Sequence, residues 1–288
     1  DCCSVDCADE CGNAQADPHG EFVGKNILFA ARSVEQTAQR FKLSEAEVRR
    51  ELEAARQKLF AARGKRPRPH LDDKILTSWN GLMLAAFAEA ARALDRNDYR
   101  MVAERNAEFL LSELRQENGR LLRSWKDGEA KLNGYLEDYA YLIEGLLELY
   151  QTTFDPRWFV AAQELAETML EHFADSEGTL YDTSDDHETL ITRPRELQDN
   201  ATPSGNAMAA VVLLKLGGLA VEPRYTELAR ETLAPMQSMM AQYPLGFAQW
   251  LQALSYDLAQ PREVALVGDP AGEATSGLLA VLREGYRP

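Results

Sequence analysis

A helical unit of about sixty residues is written three times into this chain, and a chain built of repeated helical pairs has few folds open to it. The repeat is clearest in three segments: Asp98-Tyr-Arg-Met-Val-Ala103, Asp155-Pro-Arg-Trp-Phe-Val-Ala-Ala162 and Glu222-Pro-Arg-Tyr-Thr-Glu-Leu-Ala229. The aromatic residue at Tyr99, Trp158 and Tyr225 is followed one turn later by Ala103, Ala162 and Ala229, and further on by Leu110, Met169 and Met236. Each of these amphipathic helices follows a more apolar one, over Thr77–Leu94, Gly134–Tyr150 and Pro203–Leu219, and a fourth apolar helix spans Leu245–Ala259. A helix apolar on most sides belongs between layers, and an amphipathic one belongs outside. Alternating buried and outer helices predict an all-α toroid or solenoid of helical hairpins.

The remaining segments divide around this repeat. Residues 1–20 are polar and non-periodic and are expected to be a disordered leader. All four cysteines (Cys2, Cys3, Cys7 and Cys11) lie there, in a spacing that matches no common zinc-ligand pattern, so no metal site and no cofactor are expected. Gly20–Phe29 suits a short extended segment. Ser33 with Gln36 and Ser44 with Glu47 are capping boxes that open two helices, the second carrying Val48, Leu52, Ala55 and Leu59 at helical spacing. Gly64 ends it, and Pro67 and Pro69 keep the following connector, which begins in the basic Arg63-Gly-Lys-Arg-Pro-Arg68, extended. Loops Asn118–Leu132 and Gly178–Arg195 read as short β-hairpins, and Glu263-Val-Ala-Leu-Val-Gly268 as a buried strand before a helix at Glu273–Arg283. The division expected is a leader over 1–20, a partial toroid over 21–260 and a βα segment over 261–288.

The formal net charge of −15 repels polyanions and argues against nucleic acid or an anionic membrane as partner. The apolar run Ala207–Leu214 is too short to span a bilayer, and no secretory signal is visible, so a cytoplasmic location is expected.

Chemistry concentrates where the apolar helices begin. Asp72, Asp73 and Lys74 precede the first, and Trp79 and Asn80 start it. Tyr135, Glu137, Asp138 and Tyr139 start the second, and Ser204 and Asn206 the third. In αα-toroids these first turns meet at one mouth. Carboxylates flanked by aromatics suit sugar chemistry, because sugar rings stack on aromatic faces while carboxyls act as acid, base or nucleophile. Asp73, Glu137 and Asp138 are the candidate catalytic groups. Lys74, Trp79, Asn80, Tyr135, Tyr139, His187, Ser204 and Asn206 are the candidate binding groups, with His187 reaching the mouth from the loop beside Asp185 and Asp186. The same residues also read as ordinary helix starts: Thr77 or Ser78 can cap the first helix, Asn133 the second and Thr202 with Pro203 the third, while Glu137 and Asp138 favour the helix dipole. His172, at the end of an outer helix, is expected at the surface.

Asp72-Asp-Lys-Ile-Leu-Thr-Ser-Trp-Asn-Gly-Leu82, Gly134-Tyr-Leu-Glu-Asp-Tyr-Ala140, Pro203-Ser-Gly-Asn206 and Val267-Gly-Asp-Pro270, in this order, resemble the family of bacterial YyaL-type and spermatogenesis-associated thioredoxin-like proteins. The resemblance covers about residues 20–288. It implies a thioredoxin-like domain followed by an (α/α)6 toroid similar to six-hairpin glycosidases and N-acylglucosamine 2-epimerases. Relative to that pattern, the thioredoxin-like domain and the first toroid helices are absent here, so an open arc of about four helical pairs is expected. The resemblance implies two functions. One is a toroid that binds or processes a carbohydrate-like small molecule, glycoside hydrolase-like or sugar epimerase-like if it is an enzyme. The other is a non-catalytic module serving its own upstream thioredoxin-like domain. The scarcity of histidine (His19, His70, His172 and His187) argues against a two-histidine epimerase mechanism.

Overall fold

The computed structural model describes residues 30–175, 178, 180–187, 191–259, 264–269 and 272–283. The cysteine-bearing leader and the extended segment expected at Gly20–Phe29 lie outside the described residues. The chain divides into two units, Asp1–Asp72 and Asp73–Pro288.

In the first unit, α1 (Val34–Phe41) and α2 (Glu45–Gly64) pack on each other. Both predicted capping boxes form: Ser33 accepts from the Gln36 amide and Ser44 from the Glu47 amide, with each N3 side chain returning to the cap backbone. Ala38 and Val48 are buried, but Leu52 and Leu59 of the same stripe are exposed.

The second unit is the helical arc. It runs β1 (Ile75–Leu76), α3 (Thr77–Ala93), α4 (Asn97–Glu113), β2 (Leu122–Lys126), β3 (Glu129–Asn133), α5 (Leu136–Thr153), α6 (Pro156–Phe173), α7 (Gly205–Ala220), α8 (Pro223–Leu233), the short α9 (Gln237–Gln242), α10 (Ala248–Leu258) and α11 (Glu273–Leu282). The inner helices α3, α5, α7 and α10 pack side by side in that order, and α4, α6 and α8 each back their preceding inner helix. This is the predicted all-α toroid architecture, as an incomplete ring. Among the described residues it holds three complete pairs and a fourth inner helix; α11 has no buried residue.

Burial follows position in the arc. Most of α5 and α7, flanked on both sides, is buried. In α10, at one end, only Trp250 and Ala253 are. At the other end α3 leaves Trp79 and Met83 exposed. The core between layers is built from the repeat residues themselves, including Ala103, Leu110, Trp158, Ala162, Met169, Tyr225, Ala229 and Met236.

Asn118–Leu132 forms the expected hairpin, with Ser124 opposite Lys131 and Trp125 opposite Ala130. Sequence reading did not foresee that β1 adds a third antiparallel strand, Ile75 opposite Trp125 and Leu76 opposite Ser124. That strand fixes the entry of α3. The other two β expectations are corrected. Around Gly178–Arg195 the described residues hold one isolated bridge, Ala174 with Leu180, and one backbone bond across the loop, from the Asp182 amide to the Pro194 carbonyl, but no strand pair, because the chain turns through Asp182–His187; residues 179 and 188–190 lie outside the described residues. Val264–Val267 forms no strand, and Val264 and Val267 are exposed: an apolar run has nothing to bury without a pairing partner.

At the end of the inner helices away from the mouth, a buried charge network ties three of them. Lys215 of α7 contacts Glu144 at 2.7 Å and Glu148 at 2.9 Å, both on α5, and Arg92 of α3 meets Glu148 at 2.8 Å. Two cations lean on Glu148, while one oxygen of Glu144 has no partner. Replacing Glu148 with Gln is expected to cost about 1–3 kcal/mol, and the same change at Glu144 less than about 1 kcal/mol, because only the first leaves a buried guanidinium short of its acceptor. Urea unfolding of the two variants checks the order; equal costs would contradict it.

Candidate functional site

The first turns of the inner helices are joined by carboxylates. Asp138, fully buried in the first turn of α5, accepts the Ser78 amide of α3 at 2.9 Å and the Tyr135 amide of its own helix at 2.8 Å. Its caps therefore replace those expected from Thr77, Ser78 and Asn133. Thr77 instead donates to the Leu122 carbonyl at 2.6 Å, the N-caps are Leu76 and Tyr135, and the third cap is Ser204 rather than Thr202. Between α5 and α7, the Asp182 carbonyl accepts the Leu136 amide and its carboxylate accepts the Asn206 side-chain amide at 3.3 Å. Gly205 lies against the Glu137 backbone, where an added Cβ would stand 3.1 Å from the Glu137 nitrogen. Between α7 and α10, Asp199 accepts the Ser204 and Gln249 amides, each at 2.8 Å. These bonds draw the four starts to one mouth.

Around Asp138 stands a partly exposed cluster. Arg123, projecting from β2, is ion-paired with Glu137 at 3.0 Å and with Asp138 at 3.1 Å. Its guanidinium also covers one face of Tyr135, 4.4 Å from the ring centroid, and the His187 ring lies 5.6 Å from that of Tyr135. Burial pushes the Asp138 carboxyl up to about 6, against the pull of Arg123 and the amide donors. Burial would lower the Arg123 pKa, but the fields of Asp138 and Glu137 outweigh it and raise it. Asp182 is held above the usual carboxylate range by burial and by the nearby Glu196 and Glu137.

The predicted residues thus fall into groups. Tyr135, Glu137, Asp138, His187, Ser204 and Asn206 come together at the starts of α5 and α7. Asn206 and Ser204 are buried, and Ser204 donates to the Glu196 carbonyl at 2.8 Å. Tyr139 is buried in the core, its ring against Phe173 and its hydroxyl accepting the Leu121 amide. Asp73 has a separate partner, Lys126 at 2.5 Å near the turn of the hairpin, and that bond keeps its carboxyl below the ordinary range. Lys74 is exposed and also has a partner. Asn80 donates to the Leu76 carbonyl at 2.9 Å, and Trp79 is exposed. Sequence reading missed Arg123, Asp182 and Asp199. Arg123 stands in Arg120-Leu-Leu-Arg-Ser-Trp125, inside the loop read as a hairpin, and the alternation of that segment was the available signal.

His172, Asp185 and Asp186 could offer ligand atoms to one metal ion. Asp186, however, is gripped by both Arg120 nitrogens, at 3.0 and 2.8 Å, which hold its carboxyl well below the ordinary range, and His172 is already bonded to Asp185 at 3.0 Å. This is a loop anchor, and it fits a cation poorly.

No family model matches the chain. Over 97% of its length it is 32% identical to spermatogenesis-associated protein 20 of Homo sapiens, of which it spans 37%. It is 30% identical over 91% of its length to an uncharacterized protein of Caenorhabditis elegans, of which it also spans 37%. Two solved structures share its fold. An alpha-mannanase of Bacteroides thetaiotaomicron matches with TM-score 0.51 and 18% identity, over 65% of this chain and 54% of that one. An unsaturated glucuronyl hydrolase specific for heparin matches with TM-score 0.53 and 15% identity, over 66% and 61%.

Proposed function

We propose, for a chain that belongs to the spermatogenesis-associated protein 20 family over nearly its whole length, that the mouth of its toroid binds a carbohydrate-like small molecule. One observation carries the reading: the Arg123–Glu137–Tyr135–His187 cluster is partly open to solvent where the inner helices start. The shared fold with two carbohydrate-acting enzymes supports it by analogy alone. Glu137 is the acceptor for sugar hydroxyls, oriented by Arg123, and is the group best placed for acid–base work. Asp138, sealed from solvent, organises the site by holding Ser78, Tyr135 and Arg123 in place. Asp73 serves the hairpin through Lys126. Any chemistry on the sugar would run through Glu137 and Asp182, glycoside hydrolase-like before epimerase-like, because His187 is the single histidine at the mouth among the described residues.

The test is a thermal-shift panel of mono- and disaccharides on the 288-residue chain. A sugar at a hundred times its Kd stabilises by about 2.7 kcal/mol, a shift of several degrees for a unit of this size. Glu137→Gln is expected to abolish the shift while leaving the unliganded midpoint within about 2 °C, since an exposed-side ion pair contributes little. A shift that survives in the variant would remove Glu137 from the site.

A second reading is favoured by the exposed Trp79 and Met83 on the end helix α3. In it the chain is a non-catalytic module docking the thioredoxin-like domain that the family resemblance places upstream. Co-purification of the two as one complex is the expected result, and separate elution at micromolar concentration would sink it.

A further inference from the structure

We infer that the mouth selects neutral saccharides over anionic ones, with Asp182 and Asn206 as the pair that recognises their hydroxyls; this rests on the saccharide reading above.

The charge around the inner-helix starts is negative, and the cation at its centre, Arg123, is spent on two carboxylates. Glu137, Asp138, Asp182, Glu196 and Asp199 belong to these turns and the loop between α6 and α7. Facing them, Arg123 is committed to Glu137 and Asp138. Arg195 donates to the Leu180 carbonyl at 3.1 Å, and Arg193 to the Thr183 carbonyl at 2.5 Å. Arg120 grips Asp186. Recognition of a uronate or sulfate calls for a guanidinium with its fork open. Here an incoming anion would enter a field of the same sign, and at Arg123 or Arg120 it would have to displace a carboxylate already in place.

A neutral sugar needs instead acceptors and donors of matched geometry. Asp182 supplies them from a rigid position: its amide donates to the Pro194 carbonyl and its carbonyl accepts Leu136, so its backbone is fixed on both sides. Its carboxylate accepts the Glu196 amide at 2.6 Å and the Asn206 amide at 3.3 Å, which leaves lone pairs for hydroxyls. Asn206 is fully buried, and its carbonyl oxygen has no hydrogen-bond partner among the described residues. A buried acceptor of this kind is satisfied by a hydroxyl or by a water that relays one. The two residues form an acceptor–amide pair, the complement of two neighbouring hydroxyls on a sugar ring. Burial together with the fields of Glu196 and Glu137 raises the Asp182 pKa above the ordinary carboxylate value. Arg195 opposes this weakly from the same loop.

The experiment is isothermal titration of the 288-residue chain with mannobiose and cellobiose, against disaccharides of matched size that carry glucuronate or sulfate. The expected result is binding of at least one neutral disaccharide, at least tenfold tighter than any anionic one, and a tenfold or greater loss of that binding in Asp182→Asn. The amide variant can still accept from Glu196, and circular dichroism verifies its fold. Anionic disaccharides binding as tightly as neutral ones, or tighter, would overturn this inference and leave the saccharide site standing. Binding of neither class would overturn both.

Discussion

Asp138→Ala will lower the unfolding free energy of the helical arc by about 3–5 kcal/mol, the range for a buried ion pair stripped of one partner. For a unit of this size that is a fall of roughly ten degrees or more in midpoint. The size follows from what the substitution strands. The Ser78 and Tyr135 amides lose their acceptor, and Arg123 loses one of its two carboxylates in a half-buried setting. Asp138→Asn separates shape from charge. The ordinary Asp value of 3.8 is raised to about 6 in the folded chain, so the native state holds this proton longer than the unfolded state does. The resulting stability is fully present below 3.8 and is lost as pH rises through about 6. That gap corresponds to roughly 3 kcal/mol. Stability of the native chain relative to Asp138→Asn should therefore decline between pH 4 and pH 7. Urea unfolding of both proteins across that window checks it, and a constant difference would show that Asp138 does not titrate there.

Gly81→Ala will destabilise the arc by about 3 kcal/mol, at the upper end of the overpacking range. In an exposed helix the same change would stabilise by up to about 1 kcal/mol, so the sign alone is diagnostic. A Cβ at Gly81 would stand 2.6 Å from the Tyr141 carbonyl carbon and 2.7 Å from the Leu142 nitrogen. These are backbone atoms of a buried helix and have nowhere to move. The contact is reciprocal: a Cβ at Gly145 would meet the Gly81 carbonyl at 2.8 Å. Two glycines thus let α3 and α5 cross backbone to backbone, and that close crossing brings the Ser78 amide within reach of Asp138. Equilibrium unfolding measures the cost. A neutral or stabilising result would mean that the two helices are farther apart than described.

Gly81 also shows how much of the molecule could be read in advance. The alternation of apolar and amphipathic helices, and the small residue near each inner start, are periodic signals, and periodicity survives in a bare sequence. It therefore disclosed the helical hairpins with their inner and outer layers, while the open arc was implied by the family resemblance. What it could not disclose was which start caps which. Ser78 and Asp138 are sixty residues apart, and a carboxylate in a first turn looks the same whether it serves its own helix or a neighbour's. Arg123 was hidden for a related reason. Its side chain reaches Glu137 and Asp138 from a hairpin that also pairs with the unforeseen strand Ile75–Leu76. Asp182 and Asp199 lie in irregular chain, where no repeat marks the residues that matter. Asp73 was equally hidden: its place just before the first inner helix gave no sign of its ion pair with Lys126 of the hairpin.

The central claim is that the inner-helix starts form one ligand site, and hydrogen exchange read by mass spectrometry tests it most directly. On saturation with a neutral disaccharide that binds, amides of Tyr135–Tyr139, Ser204–Ala207 and Asp182–Thr183 should exchange more slowly, while those of the outer helices α4 and α6 stay unchanged. Protection confined to the outer helices, or to the first unit, would contradict the claim.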